Sequence, residues 1–147
     1  MKRILLFAVA ALFALNLNAQ LLSEDFESTP GEIPAGWLTV TPTYASAATN
    51  WHPTEYNDND ALRASSYFDS QNWETEQWVV TPPFSSQGLT TLTFMFDNEK
   101  ASYPGNPMQV FVSTDFAGDS ASFTAATWTE LTDITLSTGT YEWVTST

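Results

Sequence analysis

No cysteine occurs in the 147 residues, histidine occurs once, and lysine and arginine together number four. Without cysteine there is no disulfide framework, no thiolate metal site and no lipoprotein attachment point. The one histidine, His52, stands in the run Asn-Trp-His-Pro-Thr-Glu-Tyr with no nucleophile elbow around it, which suits a packing or surface role. Against the four bases stand 17 acids, a formal charge of −13. Binding phosphates takes clusters of Lys and Arg, so nucleic acid is excluded as a partner. Helical periodicity is missing too. After residue 19 no useful stretch repeats its apolar residues at helical spacing.

What is there begins with MKRILLFAVAALFALNLNAQ. Lys2 and Arg3 precede an apolar run from Ile4 to Leu15, and residues 16–19 turn polar and small, the layout of a secretory signal peptide. The run is shorter than the roughly 20 residues of a membrane span. The expectation is a signal at 1–19, cleavage after Ala19, and one mature domain over 20–147 that is secreted or cell-surface and not inserted in the membrane. Loss of Lys2 and Arg3 leaves Arg63 and Lys100 against all 17 acids, moving the formal charge from −13 to −15. Such an exterior keeps an exported protein soluble and attracts divalent cations weakly. Aromatics make up 14% of residues, which argues for a packed core and against a disordered acidic segment.

Alternation dominates the mature chain. Leu92, Phe94 and Phe96 point one way while Thr91, Thr93 and Met95 point the other; Met108, Val110 and Val112 alternate with Gln109, Phe111 and Ser113. Two-residue periodicity in β-branched and aromatic residues is the strand signal. It predicts further strands at Leu22–Glu27, Trp37–Val40, Ala61–Phe68, Gln77–Thr81, Trp128–Leu136 and Tyr141–Ser146. Clusters such as STPGEIPAG, NDND, TPPFSSQG, SYPGNP, FAGDS and STG separate them as turns. The expected class is all-β, an antiparallel sandwich or barrel. Because the sequence stops directly after a strand-like YEWV segment, a closing C-terminal strand is expected to be missing from it.

Calcium needs neither His nor Cys, only about six to eight oxygen ligands. Asp25 and Glu27, then Asn57 to Asp60 with Asp58 and Asp60, then Asp97 to Glu99 with Asp97, each supply oxygens; each is equally readable as a polar turn, and none matches EF-hand spacing. Trp51, Tyr56, Trp73 and Tyr103 fall in loops and are free to face a ligand such as a sugar ring, whereas Trp37, Trp78 and Trp128 sit beside apolar partners and are assigned to packing. Glu74 and Glu76 alternate with Trp73 and Trp78, the best local imitation of a glycosidase acid against an apolar wall.

Several pieces together resemble the cleaved-adhesin and choice-of-anchor J group of bacterial secreted modules. They are Phe26-Glu27 with Ile33-Pro34-Ala35-Gly36-Trp37, then Trp78 to Pro83, Leu92-Thr93-Phe94, Val110 to Asp115, Gly118-Asp119 and Trp128 to Leu131. The resemblance covers nearly all of the mature chain. It implies a jelly-roll β-sandwich similar to MAM domains, noncatalytic, associated with adhesion or proteases, and in many members routed by type IX secretion. It also implies structural calcium near the first strand, which carries over to Glu27 only.

The expected function is therefore a noncatalytic binding or adhesion module for a glycan or protein on an extracellular surface, stabilised by calcium. The alternatives are a small glycoside-active enzyme using the acids near Trp73, or a structural spacer in a larger exported protein.

Overall fold

The computed structural model describes residues 20–43, 50–55, 59–101 and 108–147. The signal expected over 1–19 and the candidate residues Tyr56, Asp58 and Tyr103 lie outside them. Among the described residues the class is all-β. The strands are β1 (Leu38–Thr43), β2 (His52–Glu55), β3 (Asp60–Arg63), β4 (Tyr67–Phe68), β5 (Gln71–Asn72), β6 (Glu76–Val80), β7 (Phe96–Asn98), β8 (Phe111–Val112), β9 (Thr129–Glu130) and β10 (Val144–Ser146). They pair two by two, always antiparallel: β1 with β6, β2 with β3, β4 with β5, β7 with β10 and β8 with β9. Among the described residues these small ladders are not joined by hydrogen bonds into the two continuous layers of a sandwich.

The differences from the sequence reading follow from pairing. Leu22–Glu27 joins no ladder among the described residues, yet its burial still alternates, with Leu22, Glu24 and Phe26 half-buried and Ser23, Asp25 and Glu27 exposed. Phe26 then takes a left-handed backbone (φ 65°), which ends the extended run. The stretch from Ala61 to Phe68 splits into β3 and β4. The long runs at 91–96 and 128–136 keep ladder pairing only at their ends. Alternation signals a side-chain pattern, but a ladder also needs a neighbour at the right register.

The core is aromatic. Trp78 on β6 lies 4.8 Å from Phe111, 5.2 Å from Phe123 and 5.5 Å from Trp128, centroid to centroid. Each such pair contributes about 0.5–1.5 kcal/mol beyond its buried area. Trp78 thereby ties the β1–β6 ladder to the unit formed by β8, β9 and the helix between them. A separate edge-to-face pair, Phe26 on Trp37 at 5.6 Å, fixes the N-terminal segment. Trp37, Trp78 and Trp128 pack as expected.

Three of the sequence pieces meet at Pro82-Pro83. A Cβ on Gly36 (φ +84°) would sit 3.4 Å from the Pro82 side chain, and one on Gly118 (φ +97°) only 3.1 Å from Pro83. Both glycines thus combine a left-handed backbone with close approach.

A six-residue helix, α1 (Ser120–Ala125), was not predicted. Asp119 caps it: its side chain accepts the Ser122 amide at 2.7 Å, while the Ser122 hydroxyl returns to the Asp119 backbone. Just upstream, Asp115 accepts the Ser113 hydroxyl at 2.7 Å and the Thr127 amide at 2.8 Å, closing the loop around the helix. These hydrogen bonds hold both carboxyls below the usual aspartate range; the Ser113 hydroxyl is the main cause at Asp115 and the Ser122 amide at Asp119. A depressed carboxyl stabilises the fold above its ordinary pKa of about 4 and loses that contribution as pH falls through its folded value. Asp115→Ala and Asp119→Ala are therefore expected to melt below the parent protein at pH 7, with the gap narrowing as pH falls below the ordinary aspartate value. A gap independent of pH would show that the charge is irrelevant.

Candidate functional site

The β4–β5 hairpin and the residue that follows it carry a group of exposed aromatic side chains, Tyr67, Phe68 and Trp73. The hairpin's two-residue turn, Asp69-Ser70, has both residues left-handed (φ 51° and 63°), the geometry that matches the twist of a tight hairpin. Tyr67 and Phe68 enter the turn, and Trp73 follows it. The Trp73 amide donates to the Ser66 carbonyl at 2.8 Å, and its indole N–H donates to the Phe68 carbonyl at 3.0 Å. The indole is thus fixed back across the hairpin, yet Trp73 stays 44% exposed and Tyr67 60%. Asp69 and Glu74 stand exposed beside them. The sequence pointed to Trp73; it missed Tyr67 and Phe68, which read as the end of a longer strand. The Asp-Ser dipeptide before Gln71 was the available turn signal.

Trp51 has a different task. Its indole N–H donates to the Gln77 carbonyl at 3.1 Å, and the Gln77 side chain donates to the Ser65 carbonyl at 3.0 Å. Trp51 is half-buried, and these two bonds link it through Gln77 to the segment that leads into the hairpin. Glu76 accepts the Trp78 indole N–H at 2.8 Å, and both Glu74 and Glu76 are exposed. Neither lines the two main surface depressions found among the described residues.

The acids proposed for a metal come together only in part. Glu27 accepts the Asp60 amide at 2.9 Å across 33 residues, and Asp25 accepts the Glu27 amide at 3.1 Å. This joins Asp25, Glu27 and Asp60 into one chain of contacts and staples the N-terminal turn to β3. Asp97 lies apart, accepting the Thr145 hydroxyl at 2.5 Å beside Glu24. Among the described residues no three His, Cys, Asp or Glu side chains converge as a metal cage would require.

No family model, curated protein or solved structure matches the chain. Among the described residues no helix is long and apolar enough to cross a membrane.

Proposed function

We propose that the chain is a noncatalytic binding or adhesion module working outside the cell, a jelly-roll-like sandwich that presents the β4–β5 hairpin to a glycan or protein ligand. The observation that carries this reading is the fixed, solvent-facing indole of Trp73 beside exposed Tyr67 and Phe68. An aromatic ring already held in place loses little conformational entropy on binding, and its face stacks on sugar C–H groups or on another protein's side chains. Carboxylates at Asp69 and Glu74 are acceptors for ligand hydroxyls. The signal-like N-terminus and the resemblance to secreted adhesin modules support the location. The glycosidase alternative has less support, because Glu74 and Glu76 stand in the open and lack an enclosing wall.

Binding to a glycan array and to extracellular-surface proteins tests the reading. Tyr67→Ala and Trp73→Ala are each expected to weaken binding about tenfold or more, with the far-ultraviolet spectrum unchanged. No ligand on either platform would favour the spacer reading. The calcium expected at Glu27 and Asp25, where no cage of three acidic side chains converges among the described residues, has its own test. Melting in EGTA should then fall below melting in calcium, a difference that Glu27→Gln removes; identical melts take calcium out of the account.

A further inference from the structure

The tip of the β4–β5 hairpin exposes a π face and a carboxylate. The Trp73 indole has one N–H, and that donor is already given to the Phe68 carbonyl at 3.0 Å. Toward a ligand the ring therefore offers only its face, the negative side of its quadrupole. The carbonyl that holds it belongs to the residue before Asp69, so the indole edge and the Asp69 backbone lie one peptide unit apart. Register adds a second ring. The Trp73 amide bonds the Ser66 carbonyl opposite it, which puts Trp73 and Phe68 on one face of the hairpin and Tyr67 with Asn72 on the other.

Charge narrows the ligand. Asp69 and Glu74 are exposed, and among the described residues neither carboxylate has a hydrogen-bond partner. Glu76, the next acid along, is occupied by the Trp78 indole N–H. From residue 64 to residue 99 the chain holds no lysine, arginine or histidine, and Arg63 stands on β3 opposite His52. A free π face beside unpartnered carboxylates is complementary to a cation. Of the cationic side chains, the guanidinium is planar, stacks on aromatic rings and pairs with a carboxylate through two parallel hydrogen bonds. Resting on the reading of the hairpin as a binding site, we infer that its ligand is a protein segment with exposed arginine, stacked on Trp73 and paired with Asp69. A second copy of this chain, at a formal charge of −13 with four bases in all, is the wrong partner for such a surface.

A short fluorescent peptide of alternating arginine and serine, titrated against the protein by anisotropy at physiological salt, is the probe. Saturable binding is expected. Citrulline in place of every arginine keeps the shape and removes the charge, and should weaken binding about tenfold or more; lysine should be about threefold weaker. Trp73→Ala and Asp69→Asn should each cost about fivefold to tenfold. Glu32→Gln, which removes an exposed acid from another turn, should cost less than about twofold. Equal losses at Glu32→Gln and Asp69→Asn, or none at Trp73→Ala, would reduce the attraction to overall charge and overturn the inference. Equal binding of the citrulline peptide would overturn it as well, as would no saturable binding. A neutral glycan bound through Trp73 while the arginine peptide is ignored would overturn the cation and keep the hairpin as a binding site; binding of neither would remove both. The citrulline comparison needs no variant, so it decides the matter if Trp73→Ala does not fold.

Discussion

Trp78→Ala is expected to destabilise the protein by about 3–5 kcal/mol, the range for removing a large aromatic side chain from a packed site. For a domain of this size that is a fall in Tm of roughly 10 °C or more. The reason is position. Trp78 touches Phe111, Phe123 and Trp128, so its loss strips three aromatic contacts at once and separates the β1–β6 ladder from β8, α1 and β9. Its indole N–H also leaves Glu76, but that carboxylate is exposed and returns to water at little cost. Urea melts followed by circular dichroism should show the midpoint moving with little change in slope. Trp73→Ala is the internal comparison: with Trp73 44% exposed, its removal should cost only about 1 kcal/mol. If the two substitutions cost the same, the aromatic cluster is not the core.

The second large effect is expected at Asn98. Its side chain is 4% exposed and fully engaged. The amide donates to the Val144 carbonyl at 3.0 Å and to the Ser146 hydroxyl at 2.7 Å, while its oxygen accepts the Ser137 amide at 2.8 Å. Ser137 and Ser146 are themselves wholly buried; the Ser137 hydroxyl donates to the Glu142 carbonyl and that of Ser146 to the Thr135 carbonyl. One amide therefore organises the segment from 135 to 146 against β7. Asn98→Ala removes three hydrogen bonds at about 1 kcal/mol each and strands the buried Ser137 amide, for a total of about 3–4 kcal/mol. Asn98→Asp keeps an acceptor but places a carboxylate against the Val144 carbonyl. Burial raises such a carboxyl's pKa, so this variant should be least unstable at low pH, where it is protonated, and lose stability as pH rises through that value. Loss of exchange protection confined to β7, β10 and residues 135–142 would confirm where the network acts. An Asn98→Ala melt within about 0.5 kcal/mol of the parent would contradict it.

What the sequence disclosed was pattern and side-chain destiny. Trp37, Trp78 and Trp128 sat beside apolar neighbours in alternating runs, and all three pack. The turn from Gly31 to Trp37 was equally readable, because proline fixes φ and glycine supplies the left-handed backbone found at Gly31 and Gly36. Helix α1 was hidden by length: six residues make under two turns and show no 3.6-residue period, so only the cap at Asp119 announces it. The Glu27–Asp60 contact and the Asn98 network span 33 to 48 residues, and nothing local specifies them. Tyr67 and Phe68 were concealed differently. A strand-like string was cut by a hairpin turn built from Asp and Ser instead of the Asn-Gly or Asp-Gly that marks such turns.

Pro82 and Pro83, wedged between Gly36 and Gly118, govern how the β1–β6 ladder can grow. Proline offers no N–H, so directly after Thr81 two successive residues present carbonyls and no donors to a strand from another molecule. Edge-to-edge pairing is thereby disfavoured at this end by backbone chemistry, without spending a lysine that the acidic composition scarcely possesses.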